Sequence, residues 1–282
     1  MRLKWFHSFC KTVGGNEGNK CHYPIRLDSY GCGCQHDCSY CYAKSLLNFR
    51  NLWNPARPAV ADVDKMKRVI KGLPKGTIVR LGGMTDCFQP IENIYRVTYG
   101  VIKALNEAGI GYLIVTKSDM VANDEYVNIM NPKLAHIQIT VTTTDDELSK
   151  TYEKAVVPSR RIRAIEKLQE LGFDVALRLS PFIPQYIDFD ILNSVKCNKI
   201  LIEFLRTNSW IEKWFKLDFS EYTLKQSGYN HLPLERKIHY LSLIKGFEQM
   251  SVCDDVDEHY RYWQKNVNYN KNDCCNLGIM EH

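Results

Sequence analysis

Short runs of apolar and β-branched residues recur along much of the chain, separated by longer amphipathic stretches. The runs fall at 24–30 (PIRLDSY), 77–83 (TIVRLGG), 111–117 (GYLIVTK), 136–142 (HIQITVT), 174–180 (DVALRLS) and 199–205 (KILIEFL). They are apolar at successive rather than alternate positions. That pattern predicts strands buried on both faces, as in a parallel sheet. The stretch 93–109 places Val97, Val101 and Leu105 on one helical face and stops at a glycine. The stretch 159–172 repeats the design with Ile162, Ile165, Leu168 and Leu171 ahead of Gly172. Strand and helix alternate with short links, the rhythm of βα units. There are six such units against the eight of a closed barrel. The predicted fold is therefore α/β, a partial (β/α)6 TIM-type barrel of parallel strands. Beyond about residue 210 the pattern turns helical, most clearly in LERKIHYLSLIKGFEQM (234–250), and the last thirty residues are polar and irregular. The expected organisation is an N-terminal loop segment over 1–27, the partial barrel over 28–210 and a helical extension with a cysteine-rich tail over 211–282.

In such barrels the chemistry sits on the loops that leave the carboxyl ends of the strands. Here those loops are not bland. A cysteine-rich loop follows the first strand, GGMTDCFQP (82–90) the second, TKSD (116–119) the third, TTTDD (142–146) the fourth and SPFIP (180–184) the fifth. The polar and reactive residues thus fall together on one rim.

The 282 residues are 45% hydrophobic and 24% charged, an ordinary globular balance. A chain of this length buries a full core without disulfides. No apolar stretch is long enough to span a bilayer, and the first residues lack the apolar centre of a signal peptide. These features lead us to expect a cytoplasmic protein with reduced thiols and no membrane partner. Eleven cysteines in that setting point to metal or catalysis rather than to bridges. The net charge of +5 is a weak argument for a phosphate-bearing partner, since a solvated surface with a small excess of lysine gives the same sum. The densest basic cluster is SRRIR at 159–163.

Cys34, Cys38 and Cys41 are spaced C-x3-C-x2-C. Structural zinc asks for four ligands, usually as two pairs, and no matching pair follows. A disulfide framework conflicts with the reducing compartment. Soft thiolates on a short loop suit an iron–sulfur cluster, and three of them on a four-iron cluster leave one iron open for chemistry.

The spacing, with Tyr40 at the aromatic position, resembles the signature of the radical S-adenosylmethionine superfamily. CSYCYA, TDCFQPIE, TKS and RIRAIEKLQELGFDVALRLSPFIP resemble the branch of spore photoproduct lyase and proteins described as DNA-repair-photolyase-like, over roughly residues 28–210. The resemblance implies that Cys34, Cys38 and Cys41 ligate a [4Fe-4S] cluster and that S-adenosylmethionine binds the open iron. Reductive cleavage would then give a 5′-deoxyadenosyl radical that abstracts hydrogen from a substrate. It implies an electron donor such as flavodoxin or ferredoxin. The expected cofactor-binding residues are Tyr40, Gly82, Gly83, Asp86 (the nearest acidic candidate for the amino group of the nucleotide cofactor), Lys117 (a partner for the methionyl carboxylate), Thr140 and Arg178. A structural ion pair is the competing expectation for Arg178, and a local hydrogen bond for Thr140. Cys87 is the candidate hydrogen-atom donor, although the lyases carry theirs before the Thr/Ser-Asp element and Cys87 follows it.

Other residues are assigned by position. Cys253, Cys274 and Cys275, with His259 nearby, are a candidate second metal or iron–sulfur site, against the simpler reading of unrelated thiols. Cys10 and Cys21 flank a glycine-rich loop and either cover the site or complete the tail set. Cys32 falls out of register, and Cys197 reads as a packing thiol. Tyr229 and His231 are candidate substrate contacts at the open end of the barrel, against the simpler reading of a capped loop before a helix. Trp210, Trp214 and Trp263 are either base-stacking or core residues. The expected substrate is nucleic acid or nucleotide-like. The alternatives are a peptide or protein side chain and, from a different class, a non-catalytic metal-binding module.

Overall fold

The computed structural model describes residues 9–13 and 20–277; residues 14–19, inside the expected N-terminal loop, lie outside the described residues. Its centre is one eight-stranded sheet. In chain order the strands of the protein are β1 (Cys10–Thr12), β2 (Ile25–Leu27), β3 (Tyr30–Gly31), β4 (Ala59–Val60), β5 (Ile78–Leu81), β6 (Gly111–Thr116), β7 (Ala135–Thr140), β8 (Asp174–Phe182), β9 (Lys199–Phe204), β10 (Leu224–Gln226), β11 (Tyr229–His231) and β12 (Gln249–Val252). The sheet runs β1-β2-β5-β6-β7-β8-β9-β12. All its pairings from β2 to β12 are parallel, and β1 joins the edge antiparallel. β3 with β4 and β10 with β11 form two small antiparallel pairs outside it.

The partial α/β barrel is as expected, with one strand more. Seven parallel strands are present, because the segment read as the end of a long helix forms β12 instead. That helix stops at Leu241, and Gln249–Val252 pairs in register with Lys199–Ile202. A four-residue strand with a polar start leaves little periodic trace.

The strands are buried on both faces, as their composition requires; β7 is buried at every position. Their outward side chains meet the amphipathic helices. Val97, Val101 and Leu105 of the helix Val97–Ala108 and Ile165 and Leu168 of the helix Pro158–Glu170 lie in one core with Val79, Ile114, Ile137 and Leu177. Two details differ from expectation. Leu171 is 49% exposed, because it caps its helix rather than extending the stripe. The helix expected from residue 93 is broken at Arg96, which has φ 49°. The cause is Glu92. Its carboxylate accepts from the Thr98 and Tyr99 amides at 3.0 and 2.9 Å, so a fresh helix starts there with its free N–H groups satisfied.

The tail does not trail away from the barrel. Tyr23 donates to Asp273 Oδ2 at 2.6 Å, Lys199 to the Asn276 carbonyl at 3.0 Å, and Asn276 to Gln249 Oε1 at 2.6 Å. Leu277 packs with Tyr23 and with Leu113 of β6 in a small cluster of its own, apart from the main core. Residues 273–277 are thereby fixed between the first parallel strands and the last. No helix among the described residues is long and apolar enough to cross a membrane.

Candidate active site

A cavity opens at the carboxyl ends of the parallel strands. Its wall takes Gly82 and Gly83 after β5, Lys117 after β6, Thr140 at the end of β7, Arg178 and Ser180 of β8, Glu203 of β9 and Cys253 just past β12. The loop after β3 brings Cys34, Cys38, Tyr40 and Cys41 to the same wall. The three expected cluster ligands and seven expected cofactor residues thus line one space.

The cysteine loop is held from behind by groups with no sequence signature. Tyr40 donates its hydroxyl to Glu153 Oε2, and Arg161 forms an ion pair with Glu153 in which neither side chain is exposed. Thr142 Oγ1 reaches Glu153 Oε1 at 3.2 Å, and Cys38 Sγ lies 3.9 Å from Oε2. Burial alone would push Glu153 up; the Arg161 charge, Lys117 and the Tyr40 hydrogen bond prevail and hold it below the usual range. Asp86 anchors the other side. Its Oδ2 accepts from the Lys117 amide at 2.6 Å and lies 3.2 Å from His36 Nε2, while Oδ1 accepts from Thr116 Oγ1 at 2.7 Å. Burial opposes its ionisation, but His36 and these hydrogen bonds bring its pKa down to about 2. Asp86 lines the cavity as a fixed carboxylate whose oxygens already tie β6 to the cysteine loop.

The glycines matter sterically. Gly82 has φ 83°, and a Cβ there would lie 2.5 Å from the Val115 carbonyl oxygen; one on Gly83 would lie 2.4 Å from the Arg26 side chain. Backbone therefore forms this part of the wall, where a ligand edge can approach closely. Asp28 fixes it by accepting from the Gly83 amide at 3.0 Å. The Lys117 ammonium stands 5.6 Å from the Tyr40 ring centre, and its charge favours the ionised forms of Cys38, Cys41 and Glu153. Arg178 spans Gln138 Oε1 at 2.6 Å and Glu203 Oε2 at 2.5 Å. It lines the cavity and makes the ion pair of the competing structural expectation. Thr140 is buried on the wall, and its carbonyl accepts from Arg161 at 3.1 Å.

Burial pushes the Cys34 thiol up to about 12 and raises Cys38 and Cys41 also. Left to themselves these groups stay protonated; a bound metal reverses that by favouring thiolate. Among the described residues they are not drawn together as ligands of one ion would be. Ligands of a cubane, each on a different iron, are expected to stand farther apart. The residues present fit a [4Fe-4S] cluster.

Several expected residues lie elsewhere. Cys87 is 1% exposed in the hydrophobic core beside Phe88 and does not reach the cavity wall, so the fold turns the candidate hydrogen donor inward. His259 is also absent from the wall; its Nδ1 lies 3.1 Å from the Lys237 ammonium, which pairs with Asp254 at 2.7 Å. Trp263 is wholly buried and donates to the same Asp254 at 3.0 Å, which makes it core. Trp210 and Trp214 pack on each other at 5.5 Å away from the cavity. Tyr229 and His231 line a second, adjoining hollow, which shares Lys20, Arg206 and Asp255 with the main cavity. At that junction the Arg206 guanidinium lies 5.2 Å from the Tyr42 ring and 4.8 Å from the Tyr229 ring and pairs with Asp255.

Residues 29–196 match the sequence model of the radical SAM superfamily, well over half of the chain. The chain belongs to that superfamily. An uncharacterized protein of Methanocaldococcus jannaschii is 29% identical over 169 residues, 57% of this chain and 61% of that protein. An uncharacterized protein of Mycobacterium tuberculosis is 26% identical over 196 residues, 65% of this chain and 57% of that protein. The chain thus spans about three-fifths of the length of these relatives. Among solved structures, a spore photoproduct lyase mutant with dinucleoside spore photoproduct superposes with a TM-score of 0.58 at 17% identity, covering 86% of this chain and 78% of that one. Streptococcus suis SuiB bound to its precursor peptide superposes with a TM-score of 0.50 at 16% identity, covering 79% of this chain and 46% of that one. At these identities the likeness is one of fold. As a radical SAM protein, the chain belongs to a superfamily of enzymes that use an iron–sulfur cluster and S-adenosylmethionine.

Proposed function

We propose that this protein is a radical SAM enzyme that acts on a nucleic acid or nucleotide-like substrate in the cavity at the carboxyl ends of its strands. The observation that carries the reading is the delivery of Cys34, Cys38 and Cys41 to the wall shared by Gly82, Lys117, Thr140 and Arg178. When bound and reduced, a [4Fe-4S] cluster with S-adenosylmethionine supplies a carbon radical able to abstract hydrogen from an unactivated C–H bond.

The chain's own residues do the positioning. The Glu153–Arg161 pair fixes Tyr40 and with it the cysteine loop. The side-chain-free backbone of Gly82 and Gly83 on the cavity wall leaves room for the close approach of a flat or polar ligand edge. The Lys117 ammonium offers a cation to a carboxylate, and Arg178, held by Gln138 and Glu203, presents a second one at fixed orientation. At the mouth, Tyr42, Arg206 and Tyr229 give a face on which a base can stack beside a guanidinium. That face supports a base-bearing substrate. Spore photoproduct lyase, whose fold this chain shares, is seen with dinucleoside spore photoproduct bound.

The test is anaerobic purification, reconstitution with iron and sulfide, reduction and assay for 5′-deoxyadenosine. Formation of that nucleoside, abolished by Cys38→Ala, is the expected result. Deuterium transfer from labelled oligonucleotides into 5′-deoxyadenosine would support the substrate class. Transfer from peptides and not from oligonucleotides would overturn it, and absence of nucleoside formation would overturn the enzyme reading.

A further inference from the structure

Four further cysteines converge on the same cavity from three parts of the chain. Cys21 precedes β2, Cys253 follows β12, and Cys274 and Cys275 lie in the tail; all four line the wall. The Cys274 and Cys275 sulfurs and an Asp273 oxygen lie within 4.8 Å of one another. Cys21 and Cys253 lie outside that tight group but line the same wall. One tetrahedral ion with metal–sulfur bonds of about 2.3 Å spaces its sulfurs about 3.8 Å apart, so the Cys274 and Cys275 sulfurs stand within range of a shared centre. All four are free thiols.

Asp273 is already committed. Its Oδ2 accepts from Tyr23 at 2.6 Å and from the Leu277 amide at 3.1 Å, and its Oδ1 from the Cys275 amide at 2.9 Å. It shapes the tail turn and leaves the ligand role to sulfur. Cys21 is the sulfur that remains, and it packs with Cys275 against the same Tyr23–Leu277 cluster. Arg80 lines the same wall, and its Nε is shut off from water with no hydrogen-bond partner.

We propose that Cys253, Cys274 and Cys275, joined by Cys21, hold a second thiophilic metal centre on the wall of the cavity, distinct from the one bound by Cys34, Cys38 and Cys41. The centre ties the N-terminal segment, the last parallel strand and the tail together, and its binding energy orders a polar tail that core burial alone does not hold. Zinc and an iron–sulfur cluster share this thiolate chemistry, and the experiment separates them.

Metal and acid-labile sulfide are measured on the Cys34→Ala/Cys38→Ala/Cys41→Ala variant, purified without oxygen. The expected result is one retained centre per chain. Zinc without sulfide identifies a single ion; iron with matching sulfide identifies a cluster. Cys21→Ser in the same background is expected to weaken retention against a chelator about tenfold, while Cys10→Ser and Cys197→Ser leave it unchanged. A metal-free triple variant with native circular dichroism overturns the proposal, as does a Cys274–Cys275 disulfide in the mass spectrum. Unchanged retention in Cys21→Ser removes Cys21 from the set and overturns the four-thiolate site. If the triple variant does not fold, native mass spectrometry of the intact chain decides, by the presence or absence of a second centre lost on Cys253→Ser. The result is independent of the proposed function: tail metal without nucleoside formation overturns only the enzyme reading, and nucleoside formation without tail metal overturns only this centre.

Discussion

His231 shows how a buried residue makes stability depend on pH. It is 4% exposed beside the cavity mouth. Burial, reinforced by the Lys237 and Arg206 charges and opposed by Asp254 and a hydrogen bond at Gln226, lowers its pKa from 6.5 to about 4. Below 6.5 the unfolded chain takes up a proton at this position that the folded chain refuses until about 4. The neutral form's contribution is therefore complete above 6.5 and is lost as the pH falls through that window, at up to about 1.4 kcal/mol per pH unit. Urea midpoints at pH 7 and pH 5 are expected to fall further for the wild type than for His231→Gln, by the equivalent of about 2 kcal/mol. Equal falls would show that the ring is not held neutral. The residue scale is also where sequence reading was both sharpest and blindest. The C-x3-C-x2-C set of Cys34, Cys38 and Cys41 was legible because its spacing is local to one loop, and the structure brings all three to the cavity wall. Glu153 was not, because a lone glutamate in a polar stretch looks alike whether solvated or buried against Arg161.

The parallel strands were legible as elements because burial on both faces leaves a continuous apolar run, and β6 to β9 appear close to where those runs lie. Elements set by side-chain capping or by a few backbone bonds were not. Glu92 splits one apparent helix into two, and β12 is too short to show a period. The joint between elements that matters most for the site is Glu153, which couples the cysteine loop through Tyr40 to the helix Pro158–Glu170 through Arg161. Glu153→Gln keeps the size and removes the charge, leaving Arg161 buried without its partner. A loss of about 3 to 5 kcal/mol is expected by urea unfolding, with iron content falling below that of the wild type after identical reconstitution. Unchanged stability would show that the pair does not organise the loop.

On the scale of the whole molecule, the tail acts as part of the barrel. Tyr23–Asp273, Lys199–Asn276 and Gln249–Asn276 link the two flanks of the sheet through it. A chain ending at Asn266 is expected to show faster hydrogen exchange in β2 and β12 than in β7, relative to the full chain. Uniform exchange would show that the tail bears on neither flank. The amino-acid order by itself determined the βα rhythm, the rim of polar loops and the three-cysteine spacing, since each is written in neighbouring positions and enforced by local geometry and burial. Only the tertiary structure decided that Cys21, Cys253, Cys274 and Cys275 line one cavity, that Cys87 turns inward and that Glu153 stands behind Tyr40. Periodicity reports which face of an element is buried; which distant segment covers that face depends on how the sheet curves and closes, and no local pattern encodes it.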